Sequence, residues 1–220
     1  MRIKAIVFDF DGLLMDTETT LLECWQYEWR QHGLELDAAA FFADHGGDVT
    51  AEHTRRLAEA VGPTYDPEVS ELRRRAYRDG LHARLGLREG IDAWLDQARE
   101  AGLRCAVASS SPLWWVTGHL ARVGRLELFE ALAFGNEVPA HKPAPDVYRL
   151  VLDRLGLEPS EAVAVEDTVH GVTAARSAGL ACIAIPNPHA DPAGFTAADL
   201  LLGSAAEMPL AAALEQASRG

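Results

Sequence analysis

The stretch Val7-Phe8-Asp9-Phe10-Asp11-Gly12-Leu13-Leu14-Met15-Asp16-Thr17 decides how the rest of the chain is read. It closes a largely apolar run, Ile3 to Phe8, short enough for a strand and continuous enough to be buried on both faces. Two carboxylates, Asp9 and Asp11, then stand two residues apart, with Gly12 directly after. Like charges at the end of a buried strand are costly unless a cation neutralises them, and a hard divalent ion with oxygen ligands, Mg²⁺ above all, does so best. Read in isolation, the same residues equally describe a strand running into a polar turn. The remainder of the chain decides between the two.

Composition narrows the field. The 220 residues are 48% hydrophobic, enough for one sizeable core and a smaller second domain. A formal net charge of -13 opposes binding to nucleic acid and to anionic membranes, both of which need clustered Lys and Arg. It leaves room for a small phosphorylated metabolite, because a metal ion and one lysine reverse the sign locally. Cys24, Cys105 and Cys182 are far apart and lie in apolar or Ala-rich surroundings, as reduced core thiols do. No run approaches the ~20 apolar residues of a membrane span, and Asp9 and Asp11 interrupt the N-terminal run before a signal peptide is complete. The expectation is a soluble cytoplasmic protein, as a monomer or a small homo-oligomer.

Periodicity divides the chain. From Thr17 onwards the pattern is helical: Leu21, Leu22, Trp25 and Trp29 recur at three- and four-residue spacing as far as His32-Gly33. A short helix over 38–44, a Gly46-Gly47 break, a helix from Thr50 to Ala60 and another from Asp66 to Leu85 follow, the last with Val69, Leu72, Ala76 and Leu81 on its apolar side. No strand pattern occurs in this block. Beyond Leu87, short apolar strands alternate with helices, at Leu103 to Ala108, Ala131 to Phe134, Ala162 to Val165, Leu180 to Ile185 and Asp199 to Leu202. That alternation predicts βαβ units: an α/β, Rossmann-like, mostly parallel sheet with helices on both faces. The expected domains are a core of residues 1–16 and 86–220 and an inserted all-helical domain of residues 17–85.

The reactive residues fall just after strands: Asp9 and Asp11, then Ser109, then Glu166 and Asp167, with Lys142 on a loop after the strand at Ala131. Ligands of open α/β sheets bind outside the carboxyl ends of the strands, so these residues converge on one crevice. A carboxylate attacking phosphorus makes an acyl-phosphate, and Asp9, first off the strand, is the natural nucleophile. Asp11 can protonate the leaving alkoxide and then deprotonate the attacking water. Glu166 and Asp167 complete a Mg²⁺ shell. Ser109 offers a hydroxyl beside backbone N–H groups at a helix start, Lys142 a point charge, and Gly12 and Ser110 join them in the phosphate-binding set. Taken singly, each has a plainer reading. Ser109 or Ser111 caps a helix, Lys142 is a solvated loop charge, and Glu166-Asp167-Thr168 starts a helix whose dipole favours acids. All four sets landing after strands, in a workable order, favours the shared site.

Four stretches carry a family resemblance: Asp9-Phe10-Asp11-Gly12, Ser109 in Ala-Ser-Ser-Ser-Pro, His141-Lys142-Pro143-Ala144-Pro145-Asp146, and Glu166-Asp167-Thr168 with Gly171 following. In this order they resemble the four motifs of the haloacid dehalogenase-like phosphohydrolases, in the branch of β-phosphoglucomutase and small sugar- or polyol-phosphate phosphatases. The resemblance implies Asp9 as nucleophile and metal ligand, Asp11 as acid/base with its backbone carbonyl on the metal, Ser109 and Lys142 on the phosphoryl group, and Glu166 and Asp167 on the Mg²⁺ side. It also implies that residues ~17 to ~85 form a helical cap closing over the substrate. Departures bear on the activity. The mutase has a histidine in its first cap helix where Glu18-Thr19-Thr20-Leu21-Leu22 has none. It also has a Lys-Gly-x-x-Arg loop where His45-Gly46-Gly47-Asp48-Val49 lacks both basic residues. A bisphosphorylated intermediate demands those cationic donors, so the expected activity is Mg²⁺-dependent hydrolysis of a phosphomonoester rather than phosphosugar mutation. A non-catalytic phospho-acceptor module is a further alternative, disfavoured by the second aspartate and by the insertion.

Two side expectations concern other residues. The tryptophans Trp25, Trp29, Trp114 and Trp115 read as packing, and Arg73, Arg74, Arg75 and Arg78 as a solvated helix face. His45, Asp48 and His53, around the Gly-Gly break, are candidates for substrate selection.

Overall fold

β1 (Ala5–Phe8) is buried at every position, as its unbroken apolar sequence requires. The computed structural model describes residues 3–42 and 50–219, and within them the chain packs as two compact units. One comprises Met1–Asp16 and Gly86–Gly220, the other Thr17–Leu85.

The second unit is helical: α1 (Thr17–Gln31), α2 (Ala38–Phe42), α3 (Thr50–Val61) and α4 (Pro67–His82). Asp66 caps α4, its carboxylate accepting from the backbone N–H of Glu68 and Val69, with Pro67 at the first helical position, where its missing N–H costs nothing. α1 and α4 run antiparallel. Thr20 meets His82 near one end (2.9 Å) and Arg73 donates twice to Glu28 near the other (3.0 and 2.6 Å). Leu22, Trp25, Leu36, Phe41 and Leu57 make the core of this unit.

The inward face of α4 is not the expected one. Val69 and Leu72 are 44% and 66% exposed and Ala76 is exposed, while Ser70 is buried. Arg73 turns inward to the buried Glu28, and the Arg74 guanidinium lies 3.9 Å over the Trp25 ring. Arg73 and Arg74 therefore face inward, Arg74 nearly covered and Arg73 partly exposed. The apolar stems of arginine cover hydrophobic surface while the heads find a carboxylate or a π face, and α1 presents both. His53 is likewise a core residue, stacked on Phe41 at 4.2 Å and tilted on Trp25 at 5.3 Å, not an exposed selector. His45 and Asp48 lie outside the described residues.

The first unit continues with α5 (Ile91–Glu100), β2 (Arg104–Ser109), α6 (Leu113–Arg122), β3 (Phe129–Phe134), α7 (Asp146–Leu155), β4 (Ala162–Glu166), α8 (Val169–Ser177), β5 (Ala181–Ala184), β6 (Leu200–Leu201) and α9 (Leu210–Ala217), the last without a counterpart in the sequence reading. The six strands form one sheet in the order β3-β2-β1-β4-β5-β6, parallel throughout. Ala5 and Val7 pack with α7 and α8 residues such as Tyr148, Val151 and Val172. α5 and α9 pack on each other and on β2 and β5. Helices thus cover the sheet as the α/β reading expects. Burying each Val, Leu or Ile in this way stabilises the fold by roughly 1.5–3 kcal/mol.

Strand order positions the site. β1 pairs with β2 on one side and β4 on the other, and the register aligns Phe8 with both Val107 and Val165. Beyond that level β4 runs on to Glu166 and β2 to Ser109, at the point where the order reverses and a crevice opens.

Candidate active site

Asp9 extends the β1 ladder by one bond, its N–H donating to Val165 O at 3.0 Å, and the residue is 7% exposed. Lys142 Nζ reaches Asp9 Oδ1 (2.6 Å), Glu166 Oε1 (2.6 Å) and Ala108 O (2.9 Å), which uses the three donors of an ammonium. The Lys142-Pro143 peptide is cis. Glu166 is the last residue of β4 rather than the first of a helix, and its Oε1 also accepts from the Tyr148 hydroxyl at 2.5 Å. Asp167 Oδ2 accepts from Asn187 Nδ2 at 2.9 Å.

Asp9, Glu166 and Asp167 each place a carboxylate oxygen within 4.8 Å of the others, and all three are buried. Lys142 forms ion pairs with two of the three, Asp9 and Glu166. Arg88 is close enough for its charge to feel Asp167, while three of its five N–H groups go to the carbonyls of Gly12, Ile185 and Pro186. Three buried carboxylates and one lysine ammonium meet at this spot. Burial pushes the Asp9 carboxyl up to about 8 against the pull of Lys142, and Glu166 adds to the rise. Burial alone would lower the Lys142 ammonium, yet Asp9 and Glu166 outweigh it and raise the group above its ordinary range. A second positive group would ease the repulsion among the three, and an all-carboxylate oxygen set suits a hard divalent cation.

Gly171 makes the arrangement possible. A Cβ there would come within 1.9 Å of Glu166 Oε2, so only glycine lets α8 pass this close to the carboxylate. Thr168 caps α8 by accepting from Gly171 N–H at 3.0 Å; the helix-start reading holds for this residue and not for the two acids before it.

Asp11 lies outside the trio. Gly12, at φ +75°, turns the chain so that its N–H meets Met15 O at 2.8 Å, and Leu14 N–H returns to Phe10 O at 3.0 Å. The Asp11 carboxylate accepts from Trp115 Nε1 at Oδ1 (2.8 Å) and from Ser111 Oγ at Oδ2 (2.6 Å). Trp115 thus has a polar task as well as a packing one; Trp114, beside it, is 68% exposed, and Trp25 is core. Ser109 ends β2, buried, its Oγ accepting from Ser111 N–H at 3.0 Å, whereas Ser110 is exposed. Neither Ser109 nor Ser111 caps α6, whose N-cap is Pro112 without a side-chain bond.

Sequence reasoning missed Ser111, Trp115, Tyr148, Asn187 and Arg88. Tyr148 and Trp115 sit on helices where an aromatic reads first as core. Asn187, in Pro186-Asn187-Pro188 just past β5, had only its place after a strand to betray it. All three cysteines are buried and free, as expected. Among the described residues no helix is long and apolar enough to cross a membrane.

The parallel sheet thus gathers a buried acidic trio after its central strands, with Lys142 beside it from the loop ahead of α7. The sequence profile of the haloacid dehalogenase-like hydrolases matches residues 6–185. YhcW of Bacillus subtilis, whose name provisionally calls it a phosphatase, is 36% identical over 97% of this chain and 97% of its own. The fructose-1-phosphate phosphatase YqaB of Escherichia coli is 30% identical over 81% of this chain and 94% of its own. The crystal structure of CbbY from Rhodobacter sphaeroides in complex with phosphate superposes with a TM-score of 0.74 at 31% identity, covering 97% of this chain and 99% of that one. The chain belongs to the haloacid dehalogenase-like hydrolase family and is a phosphoric monoester hydrolase.

Proposed function

We propose that the protein is a Mg²⁺-dependent phosphatase of a small phosphorylated metabolite, a sugar or polyol phosphate, acting through an aspartyl-phosphate on Asp9. The observation that carries this reading is the buried trio of carboxylates at the strand ends, with Asp9 foremost and Lys142 bridging it to Glu166. The residues fit a hard cation, and Asp9, Glu166 and Asp167, with the Asp11 backbone carbonyl, would hold it. When bound, Mg²⁺ supplies charge that keeps Asp9 ionised and stabilises the phosphoryl oxygens.

The chain's own residues do the rest. Asp9 attacks phosphorus; Lys142, Ser109 and the backbone around Gly12 and Ser110 hold the phosphoryl oxygens. Asp11 gives its proton to the departing alcohol oxygen. It then takes one from the water that attacks the aspartyl-phosphate, and inorganic phosphate leaves with Asp9 restored. Residues 17–85 serve as the cap that selects the substrate. Relatives named for fructose 1-phosphate and for phosphorylated carbohydrates support a sugar-phosphate substrate. The missing basic pair at His45-Gly46-Gly47-Asp48-Val49 supports hydrolysis over mutation.

A panel of sugar, polyol and nucleotide phosphates and phosphoglycolate, assayed with Mg²⁺ for free phosphate and for isomerised product, tests the reading. Stoichiometric phosphate from a sugar or polyol phosphate is expected. Isomer formation that depends on a bisphosphate activator, without phosphate release, would overturn it.

A further inference from the structure

We infer that Trp115 is a positioning residue for Asp11: its indole N–H, together with the Ser111 hydroxyl, aims the acid/base carboxylate of the reaction proposed above. The inference rests on that assignment of Asp11. An indole nitrogen is a donor with no acceptor capacity, so Trp115 can hold only an acceptor, and it holds Oδ1 at 2.8 Å. Ser111 holds Oδ2 at 2.6 Å. Both donors come from about a hundred residues away, on the turn and helix that follow β2. Their placement is fixed by packing. The Trp115 ring stands edge-on to His119 at 4.5 Å, and the buried His119 is tilted against Phe10 at 5.9 Å. Phe10 is the residue between the two aspartates. A ring relay thus ties the helix to the nucleophile loop and locks the indole where Asp11 needs it.

The two donors are not equivalent. Oδ1 always faces an N–H, so it stays an acceptor, whereas a hydroxyl both donates and accepts. The proton that Asp11 moves is therefore carried on Oδ2. In the first step an Asp9 oxygen bonds to phosphorus, the bond from phosphorus to the alcohol oxygen breaks, and the Oδ2 proton passes to that oxygen. In the second, water oxygen bonds to phosphorus, its proton passes to Asp11, and the Asp9–phosphorus bond breaks. Trp115 makes and breaks no bond. Its part is direction.

Leaving-group dependence tests this, because an alkoxide needs a proton to depart and a nitrophenolate does not. The measured quantity is kcat/KM, which covers the steps through cleavage of the ester bond. Fructose 1-phosphate and p-nitrophenyl phosphate are the two probes. Trp115→Phe, which keeps a ring against His119, should lose about tenfold on the sugar phosphate and less than about twofold on the aryl phosphate. Ser111→Ala, nearly unchanged in volume, should show the same selectivity. Equal losses on both probes, no loss, or a gain in either variant would reduce Trp115 to packing and overturn the inference. Asp11→Asn separates the two readings. If it is selective and the other variants are not, only the positioning role fails; if it too is unselective, the acid/base assignment falls and takes the positioning role with it.

Discussion

Among the described residues each compact unit buries carboxylate, one group in the helical unit and three in the other, and the two sites are balanced in opposite ways. In the helical unit, Glu28 is fully buried on α1 and receives two N–H bonds from Arg73, with His32 beside it at 3.3 Å. Burial alone would raise the Glu28 carboxyl, but the hydrogen bonds and charge of Arg73 win, and its pKa is lowered. In the sheet unit, Lys142 is shared between Asp9 and Glu166 with Asp167 alongside, and burial wins, so that Asp9 titrates far above an ordinary aspartate. Residue type and depth are similar; the ratio of cations to acids differs. A balanced buried pair is a piece of architecture. Three carboxylates around one lysine hold charge under tension, which is the arrangement that functional sites favour.

The largest effect expected is on turnover. Asp9→Asn should lower phosphate release by roughly a thousandfold or more, since a neutral amide is no nucleophile, while circular dichroism stays that of the parent. Residual activity within tenfold of the parent would mean that the trio serves some other purpose. Removing divalent ions with a chelator should likewise abolish turnover, and adding Mg²⁺ should restore it.

Gly171→Ala probes the same trio from behind. Glu166 is pinned by Lys142 and Tyr148 and cannot retreat from a new Cβ, so metal affinity should fall about tenfold to a hundredfold, read by titrating activity with Mg²⁺. Unchanged affinity would show that Glu166 is not held to a metal position.

The helical unit should answer in stability instead. Arg73→Met strands a buried carboxylate, and because the arginine is partly exposed the cost is about 2–3 kcal/mol in urea denaturation. The double variant Glu28→Gln, Arg73→Met should recover much of it. Non-recovery would mean that Arg73 acts through packing alone.

The smallest effects are in pH dependence, and they run oppositely. The folded pKa of Glu28 is depressed, so its stabilisation is present above the unfolded value and is lost as pH falls through the folded one. The folded pKa of Asp9 is raised to about 8, so the stability it contributes is present below about 4 and is lost as pH rises towards 8. Melting temperatures in chelator from pH 3 to 9 should show both slopes. Glu28→Gln should flatten the acid limb and Asp9→Asn the alkaline one.

Much of this was legible in residue order. The run ending at Phe8, the alternation after Leu87 and the acids and lysine after strands identified the sheet and the crevice residues, because hydrophobic period and strand-end chemistry are local. The partners of those residues were not legible. Nothing local says that Trp115 turns its N–H to Asp11, that Asn187 holds Asp167, or that α4 presents arginines inward instead of Val69 and Leu72. Those outcomes depend on what the opposing element offers.

The amino-acid order alone pointed to a parallel α/β protein with acidic side chains placed just after its strands, since burial periodicity and carboxylate spacing are properties of short segments. Folding in three dimensions chose the strand order that lays β1 between β2 and β4, and so the distances within the acidic trio. It also set one lysine between two members of that trio, while Glu28 found an arginine of its own. The physical reason is that electrostatic balance at a buried site is a sum over neighbours brought together from distant parts of the chain.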